Sequence, residues 1–252
     1  MAELVDLRDK IKRYYTFTPS EIKGIVISVL AIAFIISFAD WGKGNEVNLT
    51  LGMLNFFNAA LIAALSLLIH VSAQRIWSLA TGFRLEWKMW GFGLLLGLIF
   101  AFLTNGKFWL ILPGGIILHH LAGHRLGWFR YDINYWAVGI IALAGPLATI
   151  ALAIISKAFT GVITTPLIQK FIIFNIIYAI YSMIPIPPLD GSRIFYGSRM
   201  LYAFFASGIV ATAALLTLNI NVWLAVLASF FIGTILWILY YIFFEHKSWF
   251  AG

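Results

Sequence analysis

The sequence contains no cysteine and few charged residues. Only 11% of its 252 residues are Asp, Glu, Lys or Arg, whereas soluble domains carry about 25%. The lack of cysteine excludes disulfides, thiolate metal sites and cysteine nucleophiles, so a bound metal would need His, Asp or Glu ligands. With 62% hydrophobic residues, the composition excludes a single water-soluble globule and predicts a polytopic membrane protein.

Long apolar runs divide the chain into segments of the length that a membrane helix needs, about 20 residues. Six runs are predicted to be full transmembrane helices: 22–39, 51–74, 136–156, 167–186, 200–218 and 222–244. Two shorter apolar stretches, 90–104 and 108–120, lie between the second run and the third, and Pro-Gly-Gly at 113–115 interrupts the second stretch. We therefore expect an all-α polytopic membrane protein with a short re-entrant or β-hairpin-like segment around 90–130.

Basic residues lie at the ends of the apolar runs and do not form one patch. Arg75, Arg84 and Lys88 follow the second run, and Arg193 and Arg199 follow the fourth. The positive-inside rule places these ends in the cytoplasm. It predicts a cytoplasmic N-terminal segment at 1–21, not a cleaved signal peptide, followed by one transmembrane domain at 22–252 in the cell membrane. The net charge of +7 then faces anionic lipid, and no nucleic acid partner is expected.

Two ionisable residues that are far apart in the sequence lie at the ends of predicted membrane helices. His70 begins the string HVSAQ at the end of the second run, and Asp190 lies in SMIPIPPLDGSR at 182–193. The prolines end a helix, and Asp190-Gly191 makes a turn that presents a carboxylate at the membrane edge. An ionisable group inside a membrane indicates function by default, although a hydrogen-bonded core histidine and a plain loop carboxylate are the alternatives.

Two more strings are candidates on weaker grounds. Ala144-Gly145-Pro146 lies early in the predicted 136–156 helix, where small residues indicate close helix packing. The string HHLAGH at 119–124 gives His120 and His124 the i, i+4 spacing that can hold one metal ion if the segment is helical. A solvated basic loop is the alternative for HHLAGH.

The order of these motifs resembles that of the site-2 protease family, a group of intramembrane zinc metalloproteases. The resemblance covers about residues 51–195 and rests on HVSAQ at 70–74, PGG at 113–115, LAGPLAT at 143–149 and SMIPIPPLDGSR at 182–193. It implies a membrane-embedded fold in which His70 and Asp190 are zinc ligands. It also implies substrate contacts near Ser182, Pro185 and Pro187.

The chain departs from the family pattern at three positions. Val71 stands where the family's HExxH motif has its general-base Glu, Gln74 replaces the second His, and Ser182 replaces an Asn that helps to hold substrate. Catalytic zinc usually has three protein ligands and one water, and an amide is a poor substitute for imidazole. Loss of a general base typically lowers the rate by about 10²–10⁴. We therefore expect a pseudoprotease that holds no zinc.

On this interpretation the chain binds lipid and the transmembrane segments of other proteins, or a membrane complex, without cleaving them. Two alternatives stay open. One is an active zinc metalloprotease with a rebuilt metal site, drawn from His70, Asp190, His119, His120 and His124, with Gln74 as a weak ligand. The other is a structural subunit or assembly factor of a larger membrane complex, whose helix contacts the 22 Phe, 10 Trp and 10 Tyr would supply.

Overall fold

The structure is a computed structural model that describes residues 2–43, 46–121, 134–160, 165–218 and 220–245. These residues form nine α-helices: α1 (Ala2–Tyr14), α2 (Pro19–Ser37), α3 (Leu49–Ala80), α4 (Gly91–Leu103), α5 (Tyr135–Phe159), α6 (Pro166–Ser182), α7 (Asp190–Gly197), α8 (Arg199–Thr217) and α9 (Val222–Tyr240). They also form four short strands: β1 (Gly42–Lys43), β2 (Glu46–Val47), β3 (Phe83–Met89) and β4 (Gly114–His120).

Five helices in the described part of the chain are long and apolar enough to cross a membrane. They are α2 with the 3₁₀ turn that extends it to Asp40, α3, α5, α8, and α9 with the π-helical turn that extends it to Glu245. These helices support an integral membrane protein and confirm the predicted fold class. The remaining predicted span, the fourth run at 167–186, is present as α6, but it has only 17 residues. It ends at Ser182, a few residues before the prolines that cannot continue a helix.

Local sequence fixes where several of these helices begin. Before α2, the Thr18 hydroxyl accepts a hydrogen bond from the Glu21 backbone N–H, and the Glu21 carboxylate accepts one from the Thr18 backbone N–H at 2.7 Å. This reciprocal arrangement is a capping box, which satisfies two backbone donors at once. The Asn48 side chain caps α3 in a simpler way, since its oxygen accepts from the Leu51 backbone N–H at 3.0 Å.

The predicted hairpin is confirmed, although its form differs from the expectation. Strands β3 and β4 pair antiparallel, from Phe83 opposite His120 to Met89 opposite Gly114. The first strand lies before the predicted boundary at 90, and the apolar stretch that follows it is the short helix α4, which joins the two strands. A hydrogen bond of 2.8 Å from the Trp90 N–H to the Pro113 carbonyl closes the base of this insertion.

The core lies where α3, α5, α6 and α7 pack together, with α2 on another side of α3. Helices α8 and α9 form a hairpin that packs mainly on itself. Gly233 lets the two helices approach closely, because a Cβ on Gly233 would lie 3.1 Å from the Gly208 Cα. Much of α9 is exposed and apolar, as a lipid-facing helix must be. The polar groups of interest are therefore held by α3 and its neighbours.

Candidate functional site

A stripe of polar residues runs along the buried face of α3. Its members are four residues apart, so they lie on one face of the helix, and all four are buried: Ser66, His70, Gln74 and Ser78. Polar side chains inside a membrane protein need partners from neighbouring helices. His70 and Gln74 find theirs on α5, α6 and α7.

His70 forms a direct hydrogen bond with Asp190. The His70 Nε2 atom lies 2.8 Å from the Asp190 Oδ2 atom, and both side chains are buried. Asp190 is the first residue of α7, which starts tightly against the end of α6. A Cβ on Gly191 would lie only 2.1 Å from the Met183 carbonyl oxygen. The absence of a side chain at Gly191 therefore lets α7 begin where its first carboxylate reaches α3.

The hairpin supports the loop that leads to Asp190. A Cβ on Gly115, in β4, would lie 1.9 Å from the Pro188 carbonyl oxygen. The strand and the loop consequently touch backbone to backbone, two residues before the carboxylate. The approach requires the missing side chain of Gly115, which belongs to the PGG string, and its other side is the Pro188 backbone in the PPLDG string.

The His70 ring also stacks on Tyr178 of α6. The ring centroids are 4.7 Å apart and the planes differ by 28°. Tyr178 is fixed by α6, and it limits the positions that the imidazole can take. The sequence prediction missed this residue. The available signal was its spacing, because Tyr178 lies four residues before Ser182 and so shares a helix face with a position that had been selected.

Helix α5 approaches the same two α3 residues through Gly145. A Cβ at this position would lie 2.3 Å from the His70 Nε2 atom and 2.6 Å from the Gln74 Nε2 atom. The Gln74 side chain donates a hydrogen bond of 3.0 Å to the Ala142 carbonyl on the same helix. The Ala-Gly-Pro string therefore packs closely, as predicted, and what it packs against is the site.

Several polar atoms in this cluster have no hydrogen-bond partner among the described residues: His70 Nδ1, Gln74 Oε1 and Asp190 Oδ1. Arg193 lies one turn beyond Asp190 on α7, outside the membrane-spanning helices. Burial lowers the pKa of the Arg193 guanidinium, and the nearby Asp190 carboxylate opposes part of that lowering because it favours the charged guanidinium. The cluster thus contains buried polar atoms that can still form a hydrogen bond or bind a ligand, and such atoms are typical of functional sites.

The residues at this point do not fit a catalytic zinc site. They offer one imidazole, one carboxylate and one neutral amide, and no group of three His, Asp or Glu side chains converges within the described residues. Catalytic zinc usually takes three protein ligands and one water. Val71, beside His70, is fully buried, and its side chain has no atom that can accept a proton.

The predicted substrate contacts lie at the end of α6 and in the loop after it. The Ser182 hydroxyl donates to the Ala179 carbonyl of its own helix at 2.9 Å. Pro185 and Pro187 are exposed between α6 and α7. The role of these three residues as substrate contacts stays a prediction.

The structure does not bring His119 and His120 to His70. Both lie exposed at the end of β4, so His120 is in a strand, not in the helix that an i, i+4 metal pair would require. The His119 Nε2 atom lies 3.4 Å from the Glu86 carboxylate. Both histidines line a cleft of about 390 Å³ beside Thr18. His124 lies outside the described residues.

A second buried pair was missed in the sequence. Arg75, interpreted above as a topology signal at the membrane surface, is only 1% exposed, and its Nη2 atom lies 2.5 Å from the Glu21 Oε1 atom. Arg75 also donates to the Thr16 carbonyl and lies 4.1 Å above the Phe17 ring. The Trp87 backbone N–H donates to Glu21 at 2.9 Å. The pattern Thr-x-x-Glu at 18–21 was the signal for the cap, but nothing in the sequence indicated Arg75 as a partner.

Comparison with known proteins gives one informative similarity. The chain is 28% identical over 194 residues to a Methanocaldococcus jannaschii protein named "Putative zinc metalloprotease", and the match covers 75% of this chain and 90% of that protein. No family model matches the chain, and no solved structure matches it. The similarity supports a link to a metalloprotease family, and the membrane helices fit a membrane-embedded member of one.

Proposed function

We propose that this chain is a membrane-embedded relative of the site-2 proteases that binds transmembrane segments of other proteins without cleaving them. One observation carries the proposal: Val71, a fully buried valine, occupies the general-base position. It lies beside His70 and Asp190, the two remaining ligand positions, whose side chains are 2.8 Å apart. Hydrolysis needs a group that takes a proton from water, and Val71 has none.

The motif order supports the kinship half of this proposal. The structure brings His70, Gly145 and Asp190 together although they are far apart in the sequence, and the similarity to the archaeal protein supports a metalloprotease link. The chain therefore keeps the arrangement of such a site but lacks its general base and its second metal-binding histidine. This combination suits a protein that binds substrates of the family without cleaving them.

An apolar groove along α6 suits a helical partner. The groove has a volume of about 450 Å³ and lies between the loop at 107–109 and α6, where Ile173, Ile177 and Tyr181 line it. Helix α6 leads directly to Ser182 and the loop before Asp190. A transmembrane segment docked there would lie alongside α6, the helix whose Tyr178 stacks on His70, and it would be held by apolar packing.

Site-specific crosslinking tests this binding. A photoreactive residue at Ile177 is expected to crosslink to transmembrane segments of other membrane proteins. The same residue at Leu227, on the exposed face of α9, serves as the control for lipid-facing positions. Captured segments are expected to be intact when sized on gels. Equal capture at both positions contradicts the binding proposal, and trimmed segments contradict the absence of cleavage.

An active zinc metalloprotease is the second candidate, and two observations favour it. The archaeal relative carries a zinc metalloprotease name, while Asp190 Oδ1 and Gln74 Oε1 have no partner among the described residues. His119 and His120 lie away from His70 in this structure, so among the described residues such a site rests on His70, Asp190 and Gln74. Cleavage that survives purification and is abolished by His70→Ala favours this candidate over the first.

The N-terminal segment is proposed to lie in the cytoplasm, as the distribution of basic residues favours. Because the chain has no cysteine, single cysteines report its topology without background. A cysteine at Lys12 is expected to resist a membrane-impermeant maleimide in intact cells, whereas one at Asn48 is expected to react. The reverse pattern contradicts the orientation.

A further inference from the structure

Helix α5 contains a proline in its interior, and this leaves one backbone carbonyl without its usual partner. Pro146 lies within α5 and has no N–H group. In an α-helix the N–H of each residue bonds to the carbonyl four residues earlier, so the Ala142 carbonyl loses its intrahelical donor. Inside a membrane no bulk water is present to replace that donor, and an unsatisfied backbone group is unfavourable.

Gln74 supplies the missing donor. Its Nε2 atom lies 3.0 Å from the Ala142 oxygen, and the side chain is fully buried. The amide orientation follows from the acceptor, since a carbonyl oxygen can only accept and the reversed amide would face oxygen to oxygen. Gly145 makes the contact possible, because a Cβ there would lie 2.6 Å from the same Gln74 nitrogen.

We infer that Gln74 is a positioning residue that fastens α3 to the proline-opened turn of α5 and thereby holds His70 against Asp190. His70 lies one helical turn before Gln74 on the same face. The position that corresponds to the family's second metal-binding histidine therefore serves a helix–helix bond in this chain. The inference is independent of whether the chain binds transmembrane segments.

A double-substitution cycle in the full-length protein tests the bond. Gln74→Met removes the donor and keeps the approximate length of the side chain. Pro146→Ala restores a backbone N–H that can reach the Ala142 carbonyl within α5. In detergent, Gln74→Met is expected to lower the Tm by about 2–6 °C, the range for a lost interhelical hydrogen bond in a chain of this size. In the Pro146→Ala background the same substitution is expected to change the Tm by less than about 1 °C.

Two controls separate this bond from a general loss of polar groups. Gln169→Met replaces the other glutamine of the chain, which is exposed at the start of α6, and it is expected to leave the Tm unchanged. The NMR signal of the His70 ring provides a second readout. Gln74→Met is expected to shift that signal in the unmodified background and to leave it nearly unchanged when Pro146→Ala is present.

The outcomes are decisive in either direction. An equal loss of stability in both backgrounds overturns the inference, and so does a Gln74→Met protein that is as stable as the unmodified chain. If Gln74→Met fails to accumulate, its accumulation together with Pro146→Ala supports the inference. Failure of the single and the double variant alike overturns it, because the restored N–H would then have relieved nothing.

Discussion

Two buried pairs of ionisable groups contact α3 within five residues of each other, and they differ in how completely they are bonded. Both oxygens of the Glu21 carboxylate are bonded, since they accept from Arg75 and from the backbone N–H groups of Thr18 and Trp87, and in this pair the Arg75 Nε atom alone lacks a partner among the described residues. The other pair is joined by one hydrogen bond, and it leaves one oxygen of Asp190 and one nitrogen of His70 without a partner among the described residues.

This difference distinguishes a structural pair from a candidate functional pair. A buried charge is tolerated when its partners satisfy it, and the Glu21 pair ties α2, α3 and β3 together with nearly every oxygen position used. An incompletely bonded pair contributes less to folding and keeps capacity for a ligand. The His70 pair is therefore the functional candidate, while the Glu21 pair is the anchor of the N-terminal segment.

Breaking the anchor is expected to give the largest loss. Arg75→Met leaves the Glu21 carboxylate buried without its cation, and removing one partner of a buried pair typically costs about 3–5 kcal/mol. Thermal unfolding in detergent measures the change. Arg84→Met is the matched control, since Arg84 is exposed on β3 and its replacement is expected to change stability by less than about 0.5 kcal/mol. Equal effects of the two substitutions would show that Arg75 is not an anchor.

Adding one methyl group at the site is expected to have an intermediate effect. Gly145→Ala would place a carbon 2.3 Å from His70 Nε2 and 2.6 Å from Gln74 Nε2, so these two side chains or the helices that carry them must shift. Overpacking of this kind costs about 1–3 kcal/mol. Gly208→Ala is the control, because nothing lies within 4 Å of its added Cβ. A Gly145→Ala protein as stable as Gly208→Ala would contradict the close approach of α5 to α3.

Replacing the carboxylates of Glu21 and Asp190 by amides compares the two pairs directly. The smallest loss of unfolding free energy is expected at Asp190. Asp190→Asn keeps an oxygen to bond His70 and places its amide nitrogen where the carboxylate oxygen had no partner, so we expect a change below about 1 kcal/mol. Glu21→Gln puts an amide donor opposite groups that themselves donate, and it is expected to lose more. Equal losses in chemical denaturation would remove the distinction between the two pairs.

The sequence predicted the membrane helices better than it predicted the contacts between them. Runs of apolar residues located the membrane helices because burial in lipid imposes length and composition. His70 and Asp190 were found from their chemistry and from the motif order. The end of α6 at Ser182 and the start of β3 at Phe83 were less accessible, since they depend on how the prolines and the strand pack against distant backbone.

Contacts between distant residues are what the sequence could not supply. Arg75 resembles any basic residue at the end of an apolar run, and only the fold shows that Glu21 lies opposite it. Gln74 was interpreted as a weak replacement for a histidine. Its bond to the Ala142 carbonyl required knowing that α3 packs against the turn that Pro146 opens. Such pairings are set by tertiary geometry, so a single sequence carries no direct signal for them.

The zinc content of the full-length protein, purified after growth in zinc-containing medium, tests the central claim most directly. Elemental analysis is expected to find far less than one zinc per chain, with no difference between the unmodified protein and Asp190→Asn. One zinc per chain in the unmodified protein, lost in Asp190→Asn, would contradict the claim that hydrolytic metal chemistry has been abandoned at His70 and Asp190.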